Sequence, residues 1–433
     1  MVDIVPFSGY LYNQEKTGPI DKVIAPPYDV ISPDDQEKLY ANSPYNVVRL
    51  ILGKQSPLDT DTDNRYTRAA EVFNDWIESG VLAQDATSAF YVYIQDYDFQ
   101  GRQLSRMGFF ARVKVEEFST GKICPHEFTL AKAKKDRTQL LENCRANFSP
   151  IFGLFSDPEG EVDQKLETVR RDNPLAVVED GAVTHRFWRL QDPVVIAAIT
   201  KSFQEKKITI ADGHHRYETA LAYHKAHATE VPDSAHVMMF LTNLNSDNMS
   251  IFPIHRMIHC PQPFDPKEFL SRVREFFDVT PITPGATAED ISALLKKSGA
   301  EENKISFVVY LGKNNGHLLK LKDPKNVLPF LQPDEPEELQ VLDVIQLHAL
   351  VIRPMLHVDT KQSDQQQHVS YKVDMSVAME RVESGECDLA FFMNATKMDQ
   401  VRELAEKGIR LPQKATFFYP KLLSGLVINK FAS

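Results

Sequence analysis

The sequence is poor in cysteine, with 4 in 433 residues. They lie far apart along the chain, and no two of them have the short spacing of a zinc knuckle. The same scatter argues against a disulfide framework, which small secreted domains use in place of a large core. We therefore expect a cytoplasmic protein whose cysteines stay reduced.

Long apolar runs and an excess of positive charge are also absent. No stretch approaches the about 20 apolar residues that cross a bilayer, and the first residues lack the regions of a signal peptide. Lys and Arg total 49 against 60 Asp and Glu, for a net charge of −11. That charge disfavours non-specific binding of nucleic acid or of an anionic membrane, although a local basic pocket remains compatible with it. We expect neither nucleic acid nor a membrane as a partner.

The chain is long enough for two domains, and its 42% hydrophobic and 25% charged residues are typical of a globular protein. We predict an N-terminal α/β region over 1–258 and a C-terminal α+β region over 259–433. Helical periodicities alternate with hairpin signals, which favours an α+β fold of mixed sheets and packed helices over a doubly wound fold. No internal repeat or low-complexity segment interrupts the pattern.

Local signals predict individual elements. Capping residues and apolar periodicity predict helices that begin at Ser32-Pro33 and that cover 66–77, 192–203 and 337–355. Turn residues predict hairpins at Gly101, Asp180-Gly181 and Asn315-Gly316. An aromatic strand over 417–419, with Lys414 before it and Lys421 after it, is predicted to return to the sheet.

The stretch Ile208–Leu221 is the one place where the sequence indicates chemistry. β-Branched residues lead into Asp212-Gly213 and the following residues favour a helix, so a strand, a tight turn and a helix start are expected. The first helical turn would carry His214, His215 and Arg216 beside N–H groups that have no intrahelical partner. Such a helix start binds anions, and phosphate is the usual occupant.

Each residue of this motif also has a purely structural interpretation. Asp212 could be only the helix N-cap, which stabilises a helix by about 1 kcal/mol. Gly213 could be present only because the turn needs a positive φ. His214 and Glu218 are spaced to hydrogen-bond each other, while His214 and His215 point about 100° apart and would not easily share one metal. Capping does not explain why two histidines and an arginine share one turn, and polar clusters of this kind mark functional sites.

A second segment could reach the same pocket. His126-Glu127 precedes a basic run that includes Lys135 and Arg137, which is unusual in an acidic chain. Most charge runs form a solvated helix face, and that is the structural alternative. The functional alternative is that all four residues face the anion pocket from a second loop.

A third segment lies near the N-terminus. Prolines stiffen the backbone just before Tyr28-Asp29, and a helix follows. The segment either lines a site or is a well-packed surface loop. Spacing alone does not say whether Asp29, His126 or Lys414 lies near Asp212.

Several motifs occur in order along nearly the whole chain, namely Pro26–Val30, Pro44–Arg49, Pro125–Glu127, Ser149–Leu154, Ile210–Arg216, Pro412–Lys414 and Tyr419–Lys421. Together they resemble the bacterial and archaeal domain-of-unknown-function 1015 family. The resemblance is specific, but it implies no reaction, because the activity of that family is not established.

The motif Asp212–Arg216 is also similar to the signature of the ParB/sulfiredoxin superfamily, which includes the free-serine kinases. This resemblance implies nucleotide phosphates bound at the helix start, within a core that carries large insertions. It implies that Gly213 and Arg216 hold phosphate, that Asp212 or a histidine acts near the transferred group, and that Asp29 stands in place of an acidic base. Sulfiredoxins have a reactive cysteine where this chain has His214, which argues against sulfinic-acid reduction.

Three functions stay open at this point. The first is a phosphotransferase that uses ATP or ADP, with Mg²⁺, on a small hydroxylated metabolite such as an amino acid, and it would not be a Walker-type enzyme. The second is a metal-dependent phosphoesterase or hydrolase with ligands among Asp212, His214, His215, His126 and Glu127. The third is a non-catalytic, nucleotide-binding regulator.

The candidate residues fall into two groups. The candidate catalytic residues are Asp212, His214, His215, Asp29 and Glu127. The candidate phosphate or nucleotide ligands are Gly213, Arg216, His126, Lys135 and Arg137.

Overall fold

The computed structural model describes residues 2–99, 101–127, 131–300, 305–362 and 364–432, without the side chains of 131–133 and 406. Contacts divide the chain into two units, Met1–Ser250 with Pro420–Ser433, and Ile251–Tyr419. These units differ from the predicted division after residue 258, because the chain from Pro420 onward belongs with the first unit. The predicted division into 1–258 and 259–433 stays a prediction.

A nine-stranded mixed sheet organises the first unit, in the order β6-β11-β8-β12-β5-β4-β10-β9 with β1 paired to β5. Two short pairs, β2–β3 and β7–β21, accompany it. The strands are β1 Ile4–Val5, β2 Tyr10–Tyr12, β3 Leu82–Gln84, β4 Phe90–Phe99, β5 Arg102–Lys114, β6 Ile123–Pro125, β7 Ala146–Asn147, β8 Ile151–Phe155, β9 Ala176–Asp180, β10 Val183–Leu190, β11 Ile208–Asp212, β12 His236–Asn243 and β21 Asn429–Lys430. The helices are α1 Gln14–Thr17, α2 Pro33–Asn42, α3 Val48–Ile51, α4 Arg65–Glu78, α5 Ala131–Cys144, α6 Glu161–Leu166, α7 Pro193–Phe203 and α8 His214–His227.

Alternation along β4 and β5 makes the two faces of this sheet different, since successive side chains point to opposite sides. Val92, Ile94 and Phe109 point to one face and form a core with residues of α6, α7 and α8. The other face carries Gln95 and Arg106, which pair across β4 and β5 and are almost fully buried. The second face therefore contains a buried polar group, which fixes the position of the C-terminal segment described below.

The second unit is built on a six-stranded sheet in the order β15-β17-β16-β19-β14-β18, antiparallel throughout. A further pair is formed by β13 and β20. The strands are β13 Ser250–Phe252, β14 His255–Ile258, β15 Phe277–Pro281, β16 Ser306–Tyr310, β17 Gly316–Leu321, β18 Val369–Lys372, β19 Leu389–Met393 and β20 Phe417–Tyr419. The helices are α9 Pro266–Val273, α10 Ala288–Gly299, α11 Asp343–Leu347, α12 Arg353–Leu356, α13 Met375–Glu383 and α14 Met398–Glu406.

The α+β prediction with mixed sheets, hairpins and packed helices is confirmed. Ser32 caps α2 through a hydrogen bond from the Asp35 N–H to its hydroxyl, and Pro33 takes the first helical position. The hairpins predicted at Gly101 and at Asp180-Gly181 are β4–β5 and β9–β10. Among the described residues, none of the helices combines the length and the apolar content needed to cross a membrane.

Three element predictions need correction. The segment predicted as one long helix starts with a 3₁₀ turn at Glu337–Val341 and contains a π turn at His348–Ile352. Pro354, just after the π turn, lacks an N–H and would clash with a regular preceding turn. The third hairpin turns at Gly312–Asn315, since Gly316 already pairs with Tyr310. The aromatic strand β20 pairs with β13 instead of returning to a large sheet.

Candidate functional site

The junction of β11 and α8 presents the Asp-Gly motif at the end of an internal strand. β11 lies between β6, which is parallel to it, and β8, which is antiparallel. Gly213 is the N-cap of α8 and has a φ of 89°, in the left-handed region that glycine adopts without steric cost. The helix then begins at His214, as the sequence predicts.

Two cations hold the carboxylate of Asp212. Its Oδ2 accepts a hydrogen bond from Lys421 Nζ at 2.7 Å, and its Oδ1 lies 3.5 Å from Arg216 Nη2. Burial alone would raise the pKa of this carboxyl, but Lys421 and Arg216 hold the pKa well below its usual range. Asp212 therefore stays ionised at neutral pH and fixes two cations beside the start of α8.

The alternative in which Asp212 is only an N-cap is wrong. The N-cap is Gly213, and the helix has no side-chain cap hydrogen bond. The carboxylate of Asp212 is occupied instead by Lys421 and Arg216. A helix start without a side-chain cap has first-turn N–H groups that can bind an anion.

Gly213 also makes room for Arg216. A Cβ on Gly213 would lie 2.9 Å from the Cζ, Nε and Nη2 atoms of the Arg216 guanidinium. The same guanidinium donates through Nη1 to the Pro150 carbonyl. The absence of a side chain at Gly213 therefore allows Arg216 to fold back over the turn and reach Asp212.

Gly213→Ala is expected to destabilise the protein more than a left-handed backbone alone explains. The matched control is Gly160→Ala, because Gly160 is also a left-handed N-cap in the same unit, at φ 65°, and a Cβ there meets nothing within 4 Å. The control should lose about 1–2 kcal/mol of unfolding free energy from strain. Gly213→Ala should lose about 1–2 kcal/mol more, because Arg216 must move and give up its partners.

Urea unfolding of both variants measures the difference. Equal losses of unfolding free energy in the Gly213 and Gly160 variants would show that the close approach of Arg216 does not contribute to stability.

His126 and His214 form a buried pair that ties β6 to α8. The His126 N–H donates to His214 Nε2 at 3.2 Å, and His126 Nδ1–H donates to the Ile210 carbonyl. Burial, and then the neighbouring His126, lower the pKa of His214 to about 3. His214 is therefore neutral at pH 7 with its proton on Nδ1, and its hydrogen bond positions the loop that carries Glu127.

Acid is expected to destabilise the fold through His214. Its pKa is about 3 in the folded protein and about 6.5 in an unfolded chain. Between these values the unfolded chain binds one proton more, so the stability present above about pH 6.5 is lost as the pH falls. From about pH 7 to about pH 5 the contribution of His214 amounts to about 2 kcal/mol of unfolding free energy.

His214→Gln keeps a neutral acceptor and should remove this part of the pH dependence, as measured by urea unfolding at the two pH values. An unchanged pH dependence in the variant would contradict the assignment.

Arg137 and Arg216 line one small cavity, of about 50 Å³, in the first unit. Arg137 is 8% exposed and donates through Nη1 and Nη2 to the Ile51 carbonyl, both at 3.1 Å. The centroid of the Tyr28 ring lies 3.8 Å from Arg137 Cζ. Burial raises the pKa of Tyr28, and the charges of Arg137 and Arg216 act in the opposite direction. The hydroxyl of Thr219 also lines the cavity, and it has no hydrogen-bond partner among the described residues. The Tyr28 segment and the basic run therefore meet near Arg216.

The other candidate residues lie in different surroundings. Lys135 and Asp29 are exposed, and His215 and Glu127 are half-buried. Glu127 Oε1 lies 3.6 Å from His126 Nε2. Glu218 Oε2 forms an ion pair with Lys134 Nζ at 3.0 Å. The Nε2 atom of His214 accepts the hydrogen bond from the His126 N–H.

Sequence reasoning missed Lys421 as a site residue. Two lysines flank the aromatic strand in the sequence. Lys414 belongs to the second unit, whereas Lys421 belongs to the first unit and contacts Asp212. The backbone at Lys421 is fixed by the second face of the large sheet, since Gln95 Nε2 donates to the Lys421 carbonyl at 2.9 Å. Arg106 donates to the Pro420 carbonyl beside it. No local signal distinguishes the two lysines.

A protein-family model described as "Protein of unknown function (DUF1015)" matches residues 4–345. The chain belongs to this family. The match confirms the resemblance carried by the sequence motifs, and it includes Tyr28, His126 and Arg137 together with the Asp-Gly motif at Asp212. Lys421 lies beyond the matched residues.

Solved structures that resemble this DUF1015 protein share little of its sequence. A conserved hypothetical protein from Pyrococcus furiosus is 13% identical, with 73% of this chain and 92% of that chain covered and a TM-score of 0.34. A free serine kinase in complex with AMP is 14% identical, with 72% and 86% covered and a TM-score of 0.34. SbnI with a C-terminal truncation, from Staphylococcus aureus, is 10% identical, with 73% and 85% covered and a TM-score of 0.35. Similarity this weak carries no argument about function, and no curated protein matches the chain.

The predicted metal-ligand set does not assemble in the described part of this DUF1015 protein. Among those residues, no three His, Cys, Asp or Glu side chains come together in a way that could hold a metal ion. His126 and His214 are close, with ring centroids 4.6 Å apart. The carboxylate of Asp212, however, is paired with Lys421 and Arg216. The site is therefore built around fixed positive charges.

Proposed function

We propose that this DUF1015 protein is a nucleotide-dependent phosphotransferase that acts on a small hydroxylated metabolite, with amino acids among the candidate acceptors. The arrangement of Lys421, Asp212 and Arg216 at the start of α8 carries the proposal. It combines two fixed cations with a helix start that has no side-chain cap. That combination suits the phosphate groups of a nucleotide.

In the proposed reaction the acceptor hydroxyl oxygen bonds to the terminal phosphorus of ATP or ADP, and the bond from that phosphorus to the rest of the nucleotide breaks. Negative charge spreads over the phosphoryl oxygens in the transition state. Arg216, Lys421 and the N–H groups of α8 would stabilise that charge without moving. Phosphoryl transfer requires mainly positioning and electrostatic stabilisation, and these residues would supply both.

The proposed proton acceptor is Asp29. Asp212 suits this role poorly because its pKa is held low by Lys421 and Arg216, and a weak base takes up a proton inefficiently. Asp29 is exposed and follows Tyr28, whose ring lies against Arg137 and whose pKa responds to the charge of Arg216. An acceptor hydroxyl bound in front of Arg216 would therefore have a carboxylate available on this segment.

The melting temperature tests nucleotide binding, measured with ATP, ADP and CTP, each with and without Mg²⁺. A nucleotide at about 100 times its Kd should stabilise the folded protein by about 2.7 kcal/mol. Arg216→Ala should abolish this stabilisation. The matched control is Arg112→Ala, because Arg112 also pairs with an aspartate, Asp233, and its side chain is 15% exposed against 13% for Arg216.

Stabilisation that disappears in Arg216→Ala but persists in Arg112→Ala supports the proposed phosphate site. A screen of hydroxylated acceptors for phosphoryl transfer then tests the reaction. Binding without turnover would favour a regulatory nucleotide-binding protein, and no stabilisation by any nucleotide would contradict both functions.

A further inference from the structure

The second unit contains a cavity of about 830 Å³, within the range of about 300–1,000 Å³ that is common for small-molecule sites. Its walls come from the end of α10, the 3₁₀ segments at Pro324 and Gln340, and the starts of α11 and α14. None of its lining residues belongs to the Asp212 site. A ligand here would therefore contact a different set of side chains.

Charged side chains from separate elements line this cavity. Lys296, Lys325 and Lys397 contribute positive charge, and Asp343 and Asp323 contribute negative charge. Asp323 already caps its own 3₁₀ segment by accepting from the Lys325 N–H at 2.9 Å. Burial raises the pKa of Asp343 to about 7, although Lys397 acts in the opposite direction. Near neutral pH the cavity is therefore positive on balance, and Asp343 can either donate or accept a hydrogen bond.

Amide side chains hold the walls in place. Gln346, which is fully buried, donates through Nε2 to the Pro324 and Gln340 carbonyls, both at 2.8 Å. Asn394 donates through Nδ2 to the Leu295 carbonyl at 3.2 Å, and Gln400 donates to the Val341 carbonyl at 2.7 Å. These bonds connect the elements around the cavity, so its shape is formed before any ligand arrives.

The start of α14 adds to the anion preference. Its N-cap is Lys397, whose own N–H donates to Gln400 Oε1 at 2.9 Å. A lysine at this position is unfavourable in the helix dipole and cannot accept a hydrogen bond from the first turn. A bound anion would interact favourably with both the lysine and the N–H groups of the first turn.

We propose that this cavity binds a small phosphorylated metabolite that carries hydroxyl groups. Three separate lysines suit a phosphate group, which Lys binds as a point charge. Asp343 and the backbone and amide groups of the walls suit hydroxyl groups. The cavity lining shares no residue with the proposed nucleotide site.

Titration calorimetry with glycerol 3-phosphate tests the proposal on the full chain, with malate as the carboxylate comparison. Lys397→Met and Lys325→Met should each raise the Kd of glycerol 3-phosphate by about 10-fold or more. The control is Lys267→Met, because Lys267 is an exposed lysine on α9 in the same unit and is not part of the cavity lining. It removes the same charge and should leave the Kd unchanged.

Weaker binding in both cavity variants, with an unchanged control, supports the site. Failure of glycerol 3-phosphate and of inorganic phosphate to bind at about 1 mM would overturn it, as would an equal effect of Lys267→Met. Equal binding of malate would overturn the assignment to phosphate. Nucleotide stabilisation should be unaffected by Lys397→Met, so the two proposals can fail separately. If Lys397→Met does not fold, Lys325→Met alone gives the answer.

Discussion

Lys421→Met is expected to lower the proposed nucleotide-dependent phosphoryl transfer by about 10²–10³-fold, the effect of removing one preorganised electrostatic contact. Lys421 Nζ lies 2.7 Å from Asp212 Oδ2 and is one of the two cations that this carboxylate fixes. Without it, Arg216 would be drawn more strongly to Asp212 and would be less available to phosphate. The rate of transfer at saturating nucleotide measures the effect.

The matched control is Lys414→Met. Both lysines flank the same aromatic strand, but Lys414 lies in the second unit, where its carbonyl accepts from Arg256 at 2.7 Å. Both variants remove the same charge from the chain. A loss confined to Lys421→Met supports the proposed site, whereas equal rates in Lys421→Met and wild type would show that this lysine has no part in the reaction.

Gln95→Leu is expected to lower the free energy of unfolding by about 3 kcal/mol. Gln95 and Arg106 are 0% and 1% exposed, and Arg106 Nε donates to Gln95 Oε1 at 3.1 Å. Burial already lowers the pKa of Arg106 to about 10, which reflects the cost of keeping this charge away from water. Leucine is similar in size but offers no acceptor, so the guanidinium would lose a partner while remaining buried. Urea unfolding measures the loss.

The double variant Arg106→Met with Gln95→Leu provides the control. It removes the buried charge together with its acceptor, and apolar replacement of a whole buried polar pair is often close to neutral. We therefore expect it to be more stable than Gln95→Leu alone. A double variant that is as unstable as the sum of the two single variants would show that the pair is not energetically coupled. Gln95→Leu should also slow the proposed phosphoryl transfer, because Gln95 Nε2 donates to the Lys421 carbonyl.

Helix boundaries were predictable where caps and periodicity agree. α4 has an Asn64 capping box and buries Phe73 and Trp76 on one face, and the periodicity of its apolar residues is visible in the sequence. The segment at 337–355 has equally strong apolar character, but its helical path depends on Pro354 and on packing around it. Hydrophobicity indicates burial there without defining the kind of helical turn.

The centre of the candidate site was predictable because its signal is local. Asp212, Gly213 and Arg216 sit within one turn of chain, and the strand, turn and helix start around them follow from neighbouring residue types. The partners of that turn were not predictable. His126 reaches His214 because β6 lies parallel to β11, and strand order in a mixed sheet is not encoded in the spacing of a motif.

By itself the sequence determined that this is an acidic α+β protein of the DUF1015 family, and it predicted an anion site at Asp212–Arg216. Those properties follow from composition, from local propensities and from residues close together in the chain. Only the tertiary structure decided that Lys421, 209 residues from Asp212, completes the motif. The reason is physical: the buried side chains of Gln95 and Arg106 need hydrogen-bond acceptors, and they find them in the Lys421 and Pro420 carbonyls of the C-terminal segment.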